Sequence, residues 1–550
     1  MVEEKLVLGL DFGTDSVRAV IVNTLTGREE AVAACVYPRW QSGLYTEPGL
    51  KQFRHHPLDY LESLQQVVKE ALMMLPPGAA RLVCAIGVDT TGSTPCAVDQ
   101  RGVPLALHEQ FKDNPQAMFI LWKDHSALEE AELINELAHS GIYIDYTRYS
   151  GGSYSAEWFW AKLWYVLRHE SSVAKEVFSW VELCDWLPAL LTDTADPLLM
   201  KRSRCAAGHK AMWNEEWNGL PGAGFLSDLD PRLGAIRQKL NEETLTSDQL
   251  AGLLSSGWAQ KLGLQEGISV SVGILDAHAG AIGGSIQPGS LFKIIGTSTC
   301  DIAVTSPDEI GQKQIRGIAG QVLGSVLPGL IGLEAGQSSF GDIYAWFKEL
   351  LTWSFEDAAL LTPAMEESMI DRLSEHASRI KPGTEQLTAI DWFNGRRSPH
   401  GNQRLTGAIT GLTLSSSAPV VFRALVEATV FGAKAIVDHF VSEGIPVNEL
   451  IALGGIAKKN KFVMQMLADV MEMPIKVVAT EQASALGAAI CGSVSAGLFT
   501  TVEDAQQKLC GGYSDIYIPI PETALIYRQL YRDYLSTAEL IEKQHKLKHG

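Results

Sequence analysis

The chain has 550 residues, which is too long for a single hydrophobic core, so we expect two large domains. Its formal net charge of −19 and pI of about 5.2 argue against nonspecific nucleic-acid binding, which requires a basic surface. The eight cysteines are scattered without a C-x-x-C pair, and this favours free thiols in a reducing compartment. The start of the chain does not resemble a signal peptide, and the sequence contains no apolar run of membrane-spanning length. We therefore expect a cytoplasmic protein with no nucleic-acid or membrane partner.

A strand–turn–strand pattern occupies residues 6–22. Residues 6–10 form an apolar run typical of a buried strand, and a β-rich run resumes at residues 17–22. Between them, residues 11–16 are small, polar and turn-permissive. Such a tip offers backbone N–H groups and hydroxyls to a phosphate chain, while Asp11 offers a carboxylate to Mg²⁺. An ordinary hairpin with a polar tip fits the same residues.

The next segments alternate helix and strand patterns. Apolar residues recur at helical spacing over residues 58–75, and a buried strand is predicted over residues 82–88. The loop of residues 89–95 follows it. Residues 242–255 are expected to form a short polar helix.

Asp276 stands at a predicted strand-to-helix junction, after a strand at residues 268–273. Small residues follow it and would let a substrate hydroxyl approach closely. A carboxylate near a helix N-terminus is expected to stay ionised and can accept a proton. The alternative is an Asp that only caps the helix.

A second hairpin pattern follows at residues 291–304, again with a Gly-Thr tip. Gly296 lies 296 − 13 = 283 positions after Gly13, a little over half the chain. Two similar phosphate-holding hairpins predict two related lobes with a nucleotide between them. Another glycine pair, Gly454-Gly455, follows a predicted strand at residues 450–453 and precedes a helix, a geometry that suits a flat or phosphorylated ligand. A simple glycine-rich turn is the alternative.

Several later segments support the same organisation. Residues 483–497 form a helix of small residues that can approach neighbouring backbone closely. Residues 355–377 are expected to be helical, as is the charged tail of residues 505–550. Arg396 and Arg397, in the loop of residues 394–399, are interpreted as surface charges in preference to an anion site.

The combination of four motifs in this order resembles the FGGY carbohydrate kinases. The motifs are Asp11-Phe-Gly-Thr14, Gly273-Ile-Leu-Asp-Ala-His-Ala-Gly280, Gly296-Thr-Ser298 and Leu453-Gly-Gly-Ile456 with Asn460. The resemblance covers nearly the whole chain. It implies an α/β, duplicated actin-like ATPase (ribonuclease H-like) fold with a cleft between two lobes. Residues 1–286 would form the N-terminal sugar-binding lobe and residues 287–550 the C-terminal nucleotide-binding lobe.

The resemblance also implies roles for individual residues, with MgATP and a pentulose as ligands. Asp276 would be the catalytic base, and Asp11 would hold Mg²⁺. The residues implied for nucleotide and phosphate binding are Gly13, Thr14, Ser16, Arg18, Gly296, Thr297, Gly336, Gly454, Gly455 and Asn460. The residues implied for substrate binding are Thr94, Cys96, Ala97, Asp124, Lys210, Asp276 and Glu334.

The loop at residues 91–94 narrows the expected substrate. Xylulokinases typically have Gln-Met-His-Gly there, whereas this chain has Thr-Gly-Ser-Thr, a form that resembles the ribulokinase branch of the family. This implies ATP-dependent phosphorylation of L-ribulose to L-ribulose 5-phosphate, in the breakdown of L-arabinose. The alternatives are kinases of D-ribulose, xylulose, ribitol or glycerol, a non-metabolic actin-like ATPase, and a silent sugar sensor. A homodimer is one expectation that the sequence leaves open.

Overall fold

The computed structural model describes residues 4–311, 313–357 and 362–549. In these residues the strands are β1 Leu6–Phe12, β2 Ser16–Asn23, β3 Glu29–Val36, β4 Thr46–Glu47, β5 Gln52–His55, β6 Val83–Thr90, β7 Pro95–Val98, β8 Phe119–Ile120, β9 Ser179–Glu182, β10 Arg202–Ser203, β11 Thr244–Leu245, β12 Leu250–Leu253, β13 Ser269–Ser271, β14 Ile274–Leu275, β15 Ser290–Ile295, β16 Thr299–Thr305, β17 Gly320–Leu323, β18 Ile331–Ala335, β19 Thr388–Ile390, β20 Ala408–Thr410, β21 Glu449–Leu453, β22 Ile475–Val478 and β23 Tyr513–Tyr517.

The α-helices of the same residues are α1 Pro38–Gln41, α2 Pro57–Met73, α3 Leu128–Ala138, α4 Phe159–His169, α5 Ser171–Glu176, α6 Leu183–Leu191, α7 Arg204–Lys210, α8 Ala223–Leu229, α9 Pro231–Arg237, α10 Ser256–Leu262, α11 Asp276–Gly283, α12 Pro307–Ile310, α13 Gly341–Asp357, α14 Pro363–Ser378, α15 Ala418–Ser442, α16 Gly455–Lys459, α17 Lys461–Met471, α18 Ala483–Ser495, α19 Val502–Leu509 and α20 Pro521–His549. None of the described helices is both long enough and apolar enough to cross a bilayer.

Two seven-stranded sheets share one topology. The first has the order β12-β13-β6-β1-β2-β3, with β14 also paired to β6, and the second has the order β17-β18-β16-β15-β21-β22-β23. In each sheet an antiparallel hairpin, β1–β2 or β15–β16, is extended on one side by parallel strands, β6 and β13 or β21 and β22. This repetition confirms the duplicated α/β fold that the two hairpin motifs predict.

Helix α18 joins the two halves, because it packs against α11 and against β1 and β6 of the first sheet. The contact is close enough to require glycine in the strands. A Cβ atom added to Gly9 would lie 1.9 Å from the carbonyl oxygen of Ala485, and one added to Gly87 would lie 1.7 Å from that of Ala488. The close approach predicted for this helix of small residues is therefore confirmed.

Three local predictions differ from the structure. Residues 242–255 contain the short strands β11 and β12, not a helix, because they pair with β10 and β13. The tail is not helical throughout, since β23 adds an edge strand to the second sheet. The helix expected over residues 355–377 is split between α13 and α14, and residues 358–361 of that prediction lie outside the described residues.

Candidate active site

A cavity of about 190 Å³ lies between the two halves of the chain. The residues that line it from the first half are Gly92, Trp122, Glu157, Trp158, Lys210, Leu275, Asp276, Ala277 and His278. Those from the second half are Ile294, Gly296, Thr297, Ser298, Cys300, Glu334, Arg397 and Ser484. The predicted residues Asp276, Lys210, Glu334, Gly296 and Thr297 are thus brought together from distant parts of the sequence.

The second glycine–threonine tip borders this cavity, and the first lies one hydrogen bond behind the lining residue Trp122. Gly296 and Thr297 line it directly, and Thr14 reaches it through Trp122, whose indole N–H donates to the Thr14 hydroxyl oxygen at 3.0 Å. Each tip is closed by a turn in which the glycine N–H donates to a serine carbonyl oxygen at 3.0 Å, Ser16 in the first and Ser298 in the second. The first tip therefore stands beside the cavity lining and not in it, and a common phosphate site between the two tips stays a prediction.

Three carboxylates cluster at the carboxyl ends of parallel strands. Asp11 on β1 lies in register with Asp89 on β6, and β14 brings Asp276 to the same edge. Asp11 pairs with Arg18 at 3.2 Å, but its burial still raises the pKa of the Asp11 carboxyl. Burial and the neighbouring Asp11 and Asp276 raise the pKa of Asp89 well above its usual range. Such a cluster of hard oxygen ligands is suited to a divalent cation such as Mg²⁺.

Sequence reasoning missed Asp89. The signal was present, because Asp89 follows an apolar strand in the same way as Asp11 does. Only the parallel pairing of β1 with β6 shows that the two carboxylates are neighbours.

Asp276 is the first residue of α11, and one of its carboxylate oxygens accepts a hydrogen bond from the N–H of Ala277 at 2.7 Å. The N-cap position belongs to Leu275, so the helix-cap alternative does not describe this side chain. Burial and the nearby Asp11 raise its pKa to about 7. In the protein without ligands, burial therefore acts against the expected ionisation of Asp276 at neutral pH, because desolvation outweighs the effect of the helix terminus.

A buried ion pair joins the two halves beside Asp276. The ammonium group of Lys210, at the end of α7, lies 2.6 Å from one carboxylate oxygen of Glu334 on β18. The ring of Trp158 lies under the same ammonium, 5.4 Å from it. These groups offer the cavity a cation, a carboxylate and an aromatic face, which is a suitable combination for a polyhydroxylated ligand.

Two histidines lie behind this ion pair. His209 Nδ1 is 3.5 Å and His278 Nε2 is 3.7 Å from the second carboxylate oxygen of Glu334. Burial lowers the pKa of His278 to about 4 and that of His209 well below its usual value, so both imidazoles are neutral. The interpretation of His278 as an orienting or packing residue rather than a second base is consistent with this position.

The interpretation of Arg396 and Arg397 as surface charges is wrong. Arg397 lines the cavity and pairs with Glu157 at 2.9 Å, and this pairing contributes to a pKa of Glu157 well below its usual range. Arg396 forms a salt bridge with Glu542 of α20. Both partners are far away in the sequence, so nothing in the local pattern could have shown them.

Four residues predicted to bind substrate do not line the cavity: Thr94, Cys96, Ala97 and Asp124. All four are fully buried. Asp124 forms a buried salt bridge with Arg54, and the Thr94 N–H donates to Glu182 at 2.8 Å. The ammonium of Lys162 donates to the carbonyl oxygen of Ser93 at 2.7 Å. These contacts hold the loop of residues 91–94, of which Gly92 reaches the cavity.

The remaining predicted nucleotide residues lie beyond the cavity lining, in the second half of the chain. A Cβ atom at Gly336 would lie 2.2 Å from the carbonyl oxygen of Thr299, and Gly454 has φ +100° with Ile295 against it. Gly455 begins α16 with open space beside it. The Asn460 side chain caps α17 and also donates to Ser374 at 3.0 Å.

Comparison with known proteins identifies the protein family of this chain. Residues 6–283 match the N-terminal domain of the FGGY family of carbohydrate kinases, and residues 291–496 match its C-terminal domain. The chain therefore belongs to the FGGY family of carbohydrate kinases. Enzymes of this class transfer a phosphoryl group from ATP to a sugar.

The names of individual relatives identify a particular kinase within the family. The chain is 50% identical to the ribulokinase of Vibrio parahaemolyticus, over 98% of this chain and 96% of that protein. It is 38% identical to the ribulokinase of Halalkalibacterium halodurans, over 97% and 94% of the two chains. The crystal structure of xylulose kinase from Rhodospirillum rubrum superposes with a TM-score of 0.76 at 21% identity, covering 99% of this chain and 100% of that chain. At this level of identity the superposition supports only the two-lobed fold.

Proposed function

We propose that this protein is an L-ribulose kinase, which transfers the γ-phosphoryl group of MgATP to the terminal hydroxyl to give L-ribulose 5-phosphate. The relatives named ribulokinase support the sugar, and the family match supports the reaction class. One observation carries the proposal. Asp276 lines the cavity between the two halves, which is also lined by the second glycine–threonine tip and the Lys210–Glu334 pair.

The phosphate chain would lie between the two hairpin tips. The hydroxyls of Thr14, Ser16 and Thr297 are available there, Gly13 and Gly296 would let a phosphate approach the backbone closely, and Arg18 adds a positive charge at the first tip. In the second lobe Gly336, Gly454 and Gly455 would leave room for the adenosine, and Asn460 would border it.

Asp11 would hold Mg²⁺, and the neighbouring Asp89 extends the same carboxylate surface. Burial raises the pKa of both carboxyls, so a divalent cation would compensate their negative charge, and this supports the assignment. When bound, the ion neutralises charge on the phosphates.

The sugar would lie against Lys210 and Glu334, with its terminal hydroxyl directed at Asp276. Asp276 in its ionised form accepts the hydroxyl proton as the oxygen attacks. Positioning contributes most of the remaining rate enhancement, since phosphoryl transfer needs little covalent chemistry from the protein. Because Thr94, Cys96, Ala97 and Asp124 lie behind the cavity wall, we assign them support of that wall rather than contact with the sugar.

We also propose that residues 1–286 form the sugar-binding lobe and residues 287–550 the nucleotide-binding lobe, with α18 packed across the boundary. Closure of the lobes would exclude water from the phosphate. A cytoplasmic location and a homodimer stay predictions.

The test is a panel of L-ribulose, D-ribulose, xylulose, ribitol and glycerol, scored by kcat/KM with MgATP. L-ribulose is expected to be the best substrate, and Asp276→Asn should bind MgADP normally while losing most turnover. A higher kcat/KM for another sugar would reassign the substrate within the family. ATP hydrolysis at an undiminished rate without any sugar would instead favour an actin-like ATPase.

A further inference from the structure

Three buried lone pairs converge at the edge of the cavity. They belong to His209 Nδ1, His278 Nε2 and Glu334 Oε2, and these atoms all lie within 4.8 Å of one another. Both histidines are at most 1% exposed, and none of the three atoms has a hydrogen-bond partner among the described residues. Buried polar atoms without partners are rare in folded proteins, so the cluster requires an explanation.

The hydrogen bonds around His209 determine which of its nitrogens carries the proton. The hydroxyl of Ser325 donates its single proton to the carbonyl oxygen of Val322, at 3.1 Å. His209 Nε2 lies 3.0 Å from the same hydroxyl oxygen, and in the arrangement in which the hydroxyl proton goes to Val322, Nε2 is the donor to this oxygen. A neutral His209 then presents a bare lone pair on Nδ1, and this lone pair faces Glu334 Oε2 at 3.5 Å.

The other two groups leave lone pairs in the same place. Glu334 Oε1 is paired with Lys210, so Oε2 is the oxygen without a partner. Within the described part of the chain neither nitrogen of His278 has a hydrogen-bond partner, so its proton can reside on Nδ1 while Nε2 faces Glu334 Oε2 at 3.7 Å. In these tautomers three acceptors face one another with no donor between them, which is an arrangement suited to a cation.

The spacing suits a small transition-metal ion. Zinc binds imidazole nitrogen and carboxylate oxygen at about 2.0–2.2 Å, so two ligand atoms in a tetrahedral site lie about 3.3–3.6 Å apart. The two separations from Glu334 Oε2, 3.5 and 3.7 Å, are close to that range. Two histidines and one glutamate are also a ligand set that zinc uses in proteins.

We propose that His209, His278 and Glu334 bind one divalent transition-metal ion, for which zinc is the best-fitting candidate. His278 and Glu334 also line the substrate cavity, which provides the route of entry and the position for a fourth ligand. The ion would fix Glu334 from behind while Lys210 pairs with it from the other side. This site is separate from the magnesium carboxylates at Asp11 and Asp89, and the proposal does not depend on the sugar that the enzyme phosphorylates.

The experiment measures Zn²⁺ binding to the full-length protein, stripped with a chelator and kept in excess Mg²⁺, without sugar or nucleotide. Bound zinc is counted by mass spectrometry of the metal, and affinity is measured by competition with a chromophoric chelator. Wild type should bind one Zn²⁺ per chain. His209→Asn and His278→Asn should bind at least about 100-fold more weakly, because loss of an outer hydrogen-bond partner alone costs about 10–100-fold.

Ser325→Ala is the graded variant, since it removes only the hydrogen bond that orients His209, and it should weaken binding about 10–100-fold. His139→Asn is the matched control, because this side chain is 48% exposed beside Asp145 and should not affect the tight site. No tight zinc in wild type, or equal affinity in the His209 and His278 variants, would overturn the proposal.

If a variant fails to fold, the visible absorption spectrum of Co²⁺-loaded wild type tests the proposal without any substitution. Four-coordinate nitrogen and oxygen ligation gives visible d–d bands without thiolate charge transfer. All eight cysteines are free, and a thiolate charge-transfer band would place the metal on them and overturn the proposal.

Discussion

The pKa of Asp276 links the stability of the protein to its activity. A native-state pKa of about 7, against 3.8 for an unperturbed carboxyl, means that the folded protein binds this proton more tightly than the unfolded chain does. Stability is therefore lost as the pH rises from about 4 to about 7, by an upper limit of about 4 kcal/mol at pH 8. Asn at this position cannot ionise, but its amide oxygen can still accept the hydrogen bond from Ala277.

Asp276→Asn should therefore stabilise the protein without ligands, and increasingly so at higher pH. Its advantage over wild type should grow by about 2–3 kcal/mol between pH 5 and pH 8, which corresponds to about 2 °C in melting temperature for a chain of 550 residues. The measurement is thermal unfolding of both proteins across this pH range, without nucleotide or sugar. A difference in melting temperature that does not change with pH would refute the reasoning.

The same ionisation should appear in the kinetics. Because the proposed base is the carboxylate, kcat/KM for the sugar at subsaturating MgATP should fall about tenfold from pH 8 to pH 6. Saturating MgATP should move this inflection to lower pH, since a nearby cation favours the ionised carboxylate. A flat profile between pH 6 and pH 8 would contradict the assignment of Asp276 as the base.

Two further changes test the packing around the site. Lys210→Met leaves the Glu334 carboxylate buried without its ion-pair partner and should lower the free energy of unfolding by about 3–5 kcal/mol. The double variant with Glu334→Leu should recover most of this loss. Thermal unfolding measures both, and a single variant as stable as wild type would argue against the buried pair. Gly87→Ala should destabilise the protein by about 3 kcal/mol or more, because its Cβ would overlap the carbonyl oxygen of Ala488. Gly49→Ala is the control, because Gly49 has open space around it, and it should change stability by less than about 0.5 kcal/mol. Equal melting temperatures for the two glycine variants would show that α18 does not pack as described.

Elements with a strong local signal could be predicted well. The two hairpins were predictable because an apolar run, a Gly-Thr tip and a second apolar run specify a hairpin within about 15 residues. The segment at residues 242–255 was mispredicted because its strands exist only through pairing with β10 and β13. Arg397 was misplaced for the same kind of reason, since its partner Glu157 is 240 residues away.

The sequence by itself determined the duplicated plan, the two glycine–threonine tips and the position of Asp276 at a strand-to-helix junction, because each depends on residues that are adjacent in the chain. Only the tertiary structure decided that Asp89 joins Asp11, that Lys210 pairs with Glu334 124 residues away, and that two histidines face the same carboxylate. It also decided that burial raises the pKa of Asp276. Desolvation and ion pairing depend on what surrounds a side chain in three dimensions, and that environment is assembled from both halves of the chain.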